Sequence, residues 1–570
     1  MKPAAAADCP RSLPALLDDS RLAAALLALA VVFVLFHDLG GAALFNPDEG
    51  RNAEIAREVL EIGDWITPYY NFLPRIEKPM FFYAVAAASF KLFGFSEAAA
   101  RLPSALAALG ILLMTYFFAR RISGPRAALW SALVLVTAVQ FNVFARIVIV
   151  DMLLAFFITA ALMSYYLASG AETRSVKRRY YFIMYAAAAG ATLVKGPIGF
   201  IFPGMIVVAY IAARRQWSAL KEMELGWGVL IFLLIVSPWY AAAEVRRPGY
   251  LAYFLGQEHF ARFLTPNFNR GKPWYYFFGV VAVGFFPWTI LLPRMTTRFW
   301  RNRDDFALFT LVWAAVPFVF FSFSSSKMSE YLLPIYPGLA ALAGTTLAGG
   351  LKRIDLRFLA AAWILLGLAC LYMFIALLMP AAVPAAGREF VAQLPRAEVA
   401  PVALIAAFVF AAAAWTTLAA PLDRLLPLCC ISFAALFFLA HRILAPLSLE
   451  RSDKNLARDA AAVLRSAEAM VPVVIHDTYL PSLPFYLGIH RPMLVVAHPG
   501  DGETLGSFYL SKEWPRPAPG YEPALLTYED FEREWGRRKL LVFVKEKRLF
   551  ELHGAKVLLQ ADGVALVTNR

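Results

Sequence analysis

The sequence predicts a polytopic α-helical membrane protein, with about 13 transmembrane helices, followed by a C-terminal soluble α/β domain. Three observations predict it. Of the 570 residues, 60% are hydrophobic and 17% charged, against about 25% charged in an ordinary soluble domain. Apolar blocks of roughly 17 to 25 residues, each able to cross the ~30 Å hydrocarbon core as a helix, recur from residue 22 to residue 447. From Ser448 the composition changes to an ordinary soluble mixture. A soluble enzyme is excluded. The net charge of +13 needs no nucleic acid, because basic cytoplasmic loops and anionic-lipid sites give the same excess. The four cysteines, Cys9, Cys370, Cys429 and Cys430, lie in the N-terminal tail or inside apolar spans, so neither a disulfide framework nor a thiolate metal site is expected. The first apolar run reads as a retained helix and not as a signal peptide.

Topology follows from the basic loops, since short cytoplasmic loops are enriched in Lys and Arg. The clusters are Arg120/Arg121/Arg126, 174–179, 294–303 and 352–357. Placing all of them inside requires that 80–93, which is apolar but short and contains Lys91, lie as an interfacial or re-entrant helix. The spans then fall near 22–43, 101–120, 126–146, 152–169, 180–195, 199–213, 226–245, 274–293, 306–324, 332–350, 358–380, 401–420 and 426–447. A transmembrane domain thus covers 1–447, with a first outer loop and its interfacial helices at 44–100, and the soluble domain covers 448–570. In the latter, a helix-like stretch at 455–470 and the β-rich runs 471–476, 493–498 and 540–545 suggest the α/β class. Parity puts it on the outer side.

The outer loops hold the candidate chemistry. The first begins FNPDEGRNAEIAREVLEIGDW. Pro47 followed by Asp48 and Glu49 suits a helix N-terminus, where carboxylates face unpaired N–H groups, so a capping pair is the plain alternative to catalysis for Asp48. Arg51, Glu54, Arg57, Glu58 and Glu61 follow, a density of charge that suggests an ordered polar surface. The loop ends RIEKP, with Glu77 and Lys78 before the interfacial helix, where a lysine can simply snorkel. Asp151 stands in IVIVDMLLAFF and Lys195 in ATLVKGPIGF. Ionisable groups among apolar neighbours are expensive and are functional candidates by default. Lys327 and Tyr331, in SSSKMSEYLLPIYPG, repeat the situation, and the 246–272 loop adds Glu258, His259, Arg262 and Arg270, with an interfacial amphipathic helix as its plain alternative. Lysines and arginines converging with carboxylates can clamp a phosphate, and a carboxylate can act as base or hold an amine. Glu77 and His259, both in outer loops, also suit one divalent ion, zinc or similar, that would pin the two loops together. No Walker A, GxGxxG or HExxH pattern occurs, so ATP-driven pumping and dinucleotide chemistry have no support.

Taken together, NPDEGRNAEIAREVLEIGDWITP, EKP followed by an apolar helix ending KLFGFSEAAARLPSA, VDMLL, KGPIG, GFFPW and KMSEYLLPIYPG resemble the GT-C membrane glycosyltransferases, which take sugars from polyprenyl-phosphate lipids. Within them the chain is most similar to the bacterial lipid A aminoarabinose transferases, themselves related to protein O-mannosyltransferases. The resemblance covers roughly residues 40 to 345 well. It implies an outward-facing site under the first loop, with Asp48 in the place of the catalytic carboxylate and Asp151 matching the acidic residue of the second outer loop. It also puts Lys78, Lys195, Lys327 and Tyr331 at positions that contact the lipid-linked phosphate, with Arg51 near them. The sequence departs from the common EKPP in having EKPM, and has KMSEY where many relatives carry Pro and His before the Tyr.

The expected reaction is transfer of 4-amino-4-deoxy-L-arabinose from undecaprenyl phosphate to lipid A phosphate groups at the periplasmic face of the bacterial inner membrane, by a monomer. A polyprenyl phosphate leaves readily only if its developing charge is neutralised, which cations in a water-poor site achieve. With a lipid A phosphate as acceptor the nucleophile is already anionic, and Asp48 would bind the sugar ammonium or orient the acceptor. With a Ser or Thr hydroxyl, Asp48 would have to take a proton. The readings that remain open are another sugar, a protein acceptor, or a lipid flippase.

Overall fold

The computed structural model describes residues 20–261, 271–302, 304–384, 387–388, 391–392, 394–419, 425–466, 471–497, 506–507, 509–510, 515 and 517–570. Helices form at α1 (Ser20–Phe36), α2 (Asp48–Ile62), α3 (Phe81–Phe93), α4 (Glu97–Thr137), α5 (Val139–Ala145), α6 (Val150–Ser169), α7 (Arg174–Lys195), α8 (Ile198–Arg214) and α9 (Leu225–Arg246), on apolar runs except for the charged α2. After the 246–272 loop come α10 (Tyr276–Gly284), α11 (Leu292–Asn302), α12 (Asp305–Phe323), α13 (Tyr336–Ala348), α14 (Arg353–Leu378), α15 (Arg396–Ala419) and α16 (Leu425–Glu450). Among the described residues, eight helices are long and apolar enough to cross a membrane, or nine if Tyr276–Gly284 and Trp288–Thr297, bent by 106°, are one span. The chain is a multi-pass membrane protein.

Each of the thirteen expected spans falls on helix, yet the strict count is smaller for identifiable reasons. The spans expected at 101–120 and 126–146 run together in α4, which is interrupted where Gly124 takes φ +85° ahead of Pro125, a conformation glycine adopts without a Cβ clash. The apolar helices within α1 and α8 are short, at 10–17 residues, and α7 opens on the basic run RSVKRR. At 13 residues α3 extends only about 20 Å, too short to cross.

Packing in the bundle relies on small residues. α13 lies along α4, and a Cβ added at Gly344 would come within 2.7 Å of Ala127 O. Such close approach is how helices associate where lipid competes for apolar contact. Two of the buried indole N–H groups are tied down: Trp288 donates to Thr137 Oγ1 at 2.8 Å and Trp313 to Pro334 O at 2.9 Å.

After α16, α17 (Lys454–Ser466), α18 (Leu483–Leu487) and α19 (Tyr528–Arg537) accompany the strands. A short antiparallel pair, β1 (Tyr69–Tyr70) and β2 (Leu73–Pro74), lies in the first loop. The C-terminal sheet holds β3 (Val473–His476), β4 (Leu494–Val496), β5 (Leu525–Leu526), β6 (Leu541–Lys545), β7 (Lys556–Ala561) and β8 (Val564–Thr568), in the order β5-β4-β3-β6-β8-β7. β3, β4, β5 and β6 pair in parallel, and β8 joins β6 and β7 antiparallel. Alternation divides the sheet between two cores. Ile475, Leu541 and Phe543 face α17, while Val474, Val542 and Val544 pack with Phe531 of α19.

This domain docks on the first loop. Asn71 exchanges hydrogen bonds with Met493, donating to its O at 2.8 Å and accepting from its N at 2.9 Å. Arg57 donates to Ile489 O at 2.6 Å, and Lys454 pairs with Glu97 at 2.6 Å. Gly50 permits the closest approach: a Cβ there would lie 2.7 Å from Ser482 Cα.

Candidate active site

The two acidic residues that open α2 diverge. Pro47 precedes them without a side-chain cap, and Asp48, half exposed, pairs with Arg51 one turn on. Glu49 is 3% exposed and points inward. Its Oε1 accepts from Arg101 Nε at 2.8 Å and Val148 N at 2.9 Å, and its Oε2 accepts from Arg101 Nη2 at 2.9 Å and Phe45 N at 3.0 Å. The rest of α2 is not the polar surface its charges suggest. Glu54, Arg57 and Glu58 are buried, with Arg57 reaching both oxygens of Glu54 at 2.8 and 2.9 Å. Burial, reinforced by the neighbouring Glu54, pushes the Glu58 carboxyl well above the ordinary range. Glu58 Oε2 accepts from Phe72 N at 2.9 Å, and its carboxyl meets that of Glu54, an arrangement in which a proton is kept between the two.

Asp151 and Lys195 come together. Asp151 lies in the first turn of α6 and Lys195 in the last turn of α7, so each charge sits where its own helix dipole favours it. They form an ion pair whose side chains are 9% and 16% exposed. The Tyr331 ring lies below Lys195 Nζ, 5.1 Å from ring centroid to nitrogen, an arrangement that favours the cation. Glu330, beside Tyr331, is within electrostatic reach of Asp151, Lys195 and Asp48, and this links the first-loop carboxylate to the Asp151–Lys195 pair. Lys327, 8% exposed, donates to Ser324 O at 2.6 Å.

At the end of the first loop, Lys78 donates to Glu77 O at 3.1 Å and lies 3.7 Å from the buried Glu258. Tyr83 of α3 is in reach of Asp48, Arg51, Arg75 and Glu77, so both ends of the loop face one region. Glu77 accepts from Ser507, and among the described residues its buried Oε2 has no hydrogen-bond donor, with Arg75 Nε 3.6 Å away. Arg262 and Arg270 lie outside the described residues, as does the side chain of His259. Among the described residues no group of three His, Cys, Asp or Glu gathers as a metal site.

The structure therefore brings Asp48, Arg51, Asp151, Lys195 and Tyr331 to one end of the bundle, with Lys78 joined to it through the first loop. Sequence reasoning passed over Glu330, Tyr83 and Arg101. Glu330 stood inside the quoted KMSEY motif, its charge the available signal. In the sequence Arg101 reads only as the start of an apolar run, and Tyr83 carries no signal. Cations gathered around one exposed and one buried carboxylate can hold a phosphate and a polar sugar together.

The family described as dolichyl-phosphate-mannose-protein mannosyltransferase matches residues 77–241. The undecaprenyl phosphate-alpha-4-amino-4-deoxy-L-arabinose arabinosyl transferase of Edwardsiella ictaluri is 34% identical over 333 residues, 57% of this chain and 59% of that protein. Its namesake in Aeromonas salmonicida is 31% identical over 355 residues, 60% of this chain and 64% of that protein. The chain thus matches less than two thirds of these relatives' own length. Among solved structures, ArnT from Cupriavidus metallidurans bound to undecaprenyl phosphate superposes with a TM-score of 0.84 at 26% identity, covering 97% of this chain and 99% of that one. The oligosaccharyltransferase of Archaeoglobus fulgidus shares the fold, with a TM-score of 0.53 at 13% identity over 93% of this chain and 70% of that one. By sequence and by fold the chain is similar to the ArnT transferases and shares their polytopic GT-C fold.

Proposed function

We propose that the chain is a glycosyltransferase that moves 4-amino-4-deoxy-L-arabinose from undecaprenyl phosphate to a lipid A phosphate at the periplasmic face of the bacterial inner membrane, a modification that confers resistance to polymyxin. The observation that carries this reading is the Asp151–Lys195–Tyr331 cluster facing Glu330 and Asp48. Support comes also from the similarity to a solved ArnT holding undecaprenyl phosphate. Lys195, Lys78 and Lys327 stabilise the donor phosphate as its charge grows, with Arg262 and Arg270 of the neighbouring loop drawing in anionic lipid. Asp48, the exposed carboxylate, meets the sugar ammonium or orients the acceptor, and Asp151 holds Lys195 in place. An acceptor phosphate is already anionic and needs no strong base, which fits an Asp48 committed to Arg51.

A divalent ion held by Glu77 and His259 is part of the same proposal, carried by the Glu77 oxygen that receives no hydrogen bond. Purified protein in detergent, given the lipid-linked aminosugar and lipid A, tests the reaction. A product one aminoarabinose heavier, absent with Asp48→Asn, supports it, and no product with both substrates present refutes it. Orientation is tested in intact cells by labelling cysteines placed at Ser325 and Ser175: position 325 should label from outside, and labelling of 175 overturns the assignment.

A further inference from the structure

Glu49 is the most completely satisfied carboxylate near the site, and its partners lie on three separate stretches of chain. Both oxygens accept two hydrogen bonds each, from Arg101, Val148 and Phe45. Arg101 spends its remaining donors on the carbonyls of Leu39, Ala42 and Ala43 at 3.0, 2.7 and 2.9 Å. The segment leading into α2 is thereby fixed from below. Val148 is three residues before Asp151, and its carbonyl accepts from Asn52 Nδ2 at 2.9 Å, so two side chains of α2 grip the N–H and the C=O of one residue at the entry to α6. Glu49 and Arg101 are each 3% exposed, where an ion pair is stiff because solvent cannot replace either partner.

We propose that Glu49, held by Arg101 and seconded by Asn52, is a positioning residue that fixes Asp48 and Asp151 relative to one another. Glu49 is the immediate neighbour of Asp48, and its grip on Val148 N sets the start of α6, from which Asp151 reaches Lys195. The inference rests on the transfer reaction proposed above. It deepens that proposal by giving the buried acid of the Asp48–Glu49 pair a role in geometry and leaving contact with substrate to the exposed one.

Two variants and two readouts test it. In Glu49→Gln and Asn52→Ala, kcat for transfer should fall, by roughly 10- to 100-fold for Glu49→Gln, while the donor KM changes far less, because only Lys195 of the phosphate-binding lysines depends on the start of α6. In combination with Asp151→Asn, Glu49→Gln should add little further loss, since both act through one element. Equal changes in kcat and KM, or losses that multiply, would overturn the inference. Hydrogen exchange reads the same link without catalysis: the amides of 147–151 should exchange faster in both variants than in the wild type. Unchanged exchange there overturns the inference whatever the activity shows, whereas a wild type inactive toward lipid A but with the exchange change present counts against the reaction alone.

Discussion

Replacing Lys195 by methionine keeps the length of the side chain and removes one charge from a pair whose members are only 9% and 16% exposed. Asp151 is then left ionised in a poorly solvated place, a defect that costs about 3–5 kcal/mol of stability. Loss of the cation above Tyr331, 5.1 Å from the ring centre, removes a further ~0.5–1 kcal/mol. If Lys195 also holds the donor phosphate, binding weakens by about 1.5–3 kcal/mol for one charge-assisted hydrogen bond, or roughly 10- to 150-fold in Kd. The double variant Lys195→Met/Asp151→Leu separates these effects. An apolar pair of similar volume should recover most of the stability, because replacing a whole buried ion pair is often neutral, but it should not recover affinity. Thermal unfolding of the detergent-solubilised protein and titration with undecaprenyl phosphate give the two quantities. A double variant no more stable than Lys195→Met, or one that binds the lipid like the wild type, would refute the reasoning.

Other expectations follow from the same geometry. Asp48→Asn removes a charge without changing size and should abolish transfer with little change in melting temperature, since Asp48 is half exposed; near wild-type turnover would reduce it to a helix-end residue. Glu58 has a folded pKa raised by burial and Glu54, so its contribution to stability is complete below the unfolded value of about 4.3 and is lost as pH rises through the higher folded value. Glu58→Gln should therefore flatten the fall of melting temperature with rising pH above about 4.3, and an unaltered profile would contradict a protonated Glu58. Gly50→Val should cost about 1–3 kcal/mol by overpacking and loosen the C-terminal domain, read as faster proteolysis after residue 448. Metal analysis of wild type against Glu77→Ala and His259→Ala should show one divalent ion lost in both variants, with equal content in all three telling against that site.

Much of the membrane part is legible because lipid imposes a simple rule, and apolar length marks the spans on either side of the break at Gly124. Asp151 and Lys195 stood out because each was an ionisable residue among apolar neighbours. That they pair could not be read, since 44 positions separate them and no periodicity joins α6 to α7. The charges of α2 mislead for a related reason: Glu54, Arg57 and Glu58 look solvent-facing until later chain is seen against them, Phe72 N on Glu58 and, some 430 residues on, Ile489 O on Arg57. In that domain β3, β4 and β6 were visible as apolar runs. β7 and β8 were not, although Asp562 and Gly563, both at positive φ, form the two-residue turn that an Asp-Gly pair signals.

The most direct test of the central claim is mass spectrometry of lipid A from a bacterial host that lacks its own transferase but makes the lipid-linked aminosugar, with and without this chain. Transfer to lipid A predicts an added mass of one aminoarabinose per modified phosphate when the chain is present, lost again with Asp48→Asn. Lipid A of unchanged mass in the presence of the chain and an ample donor pool would contradict it.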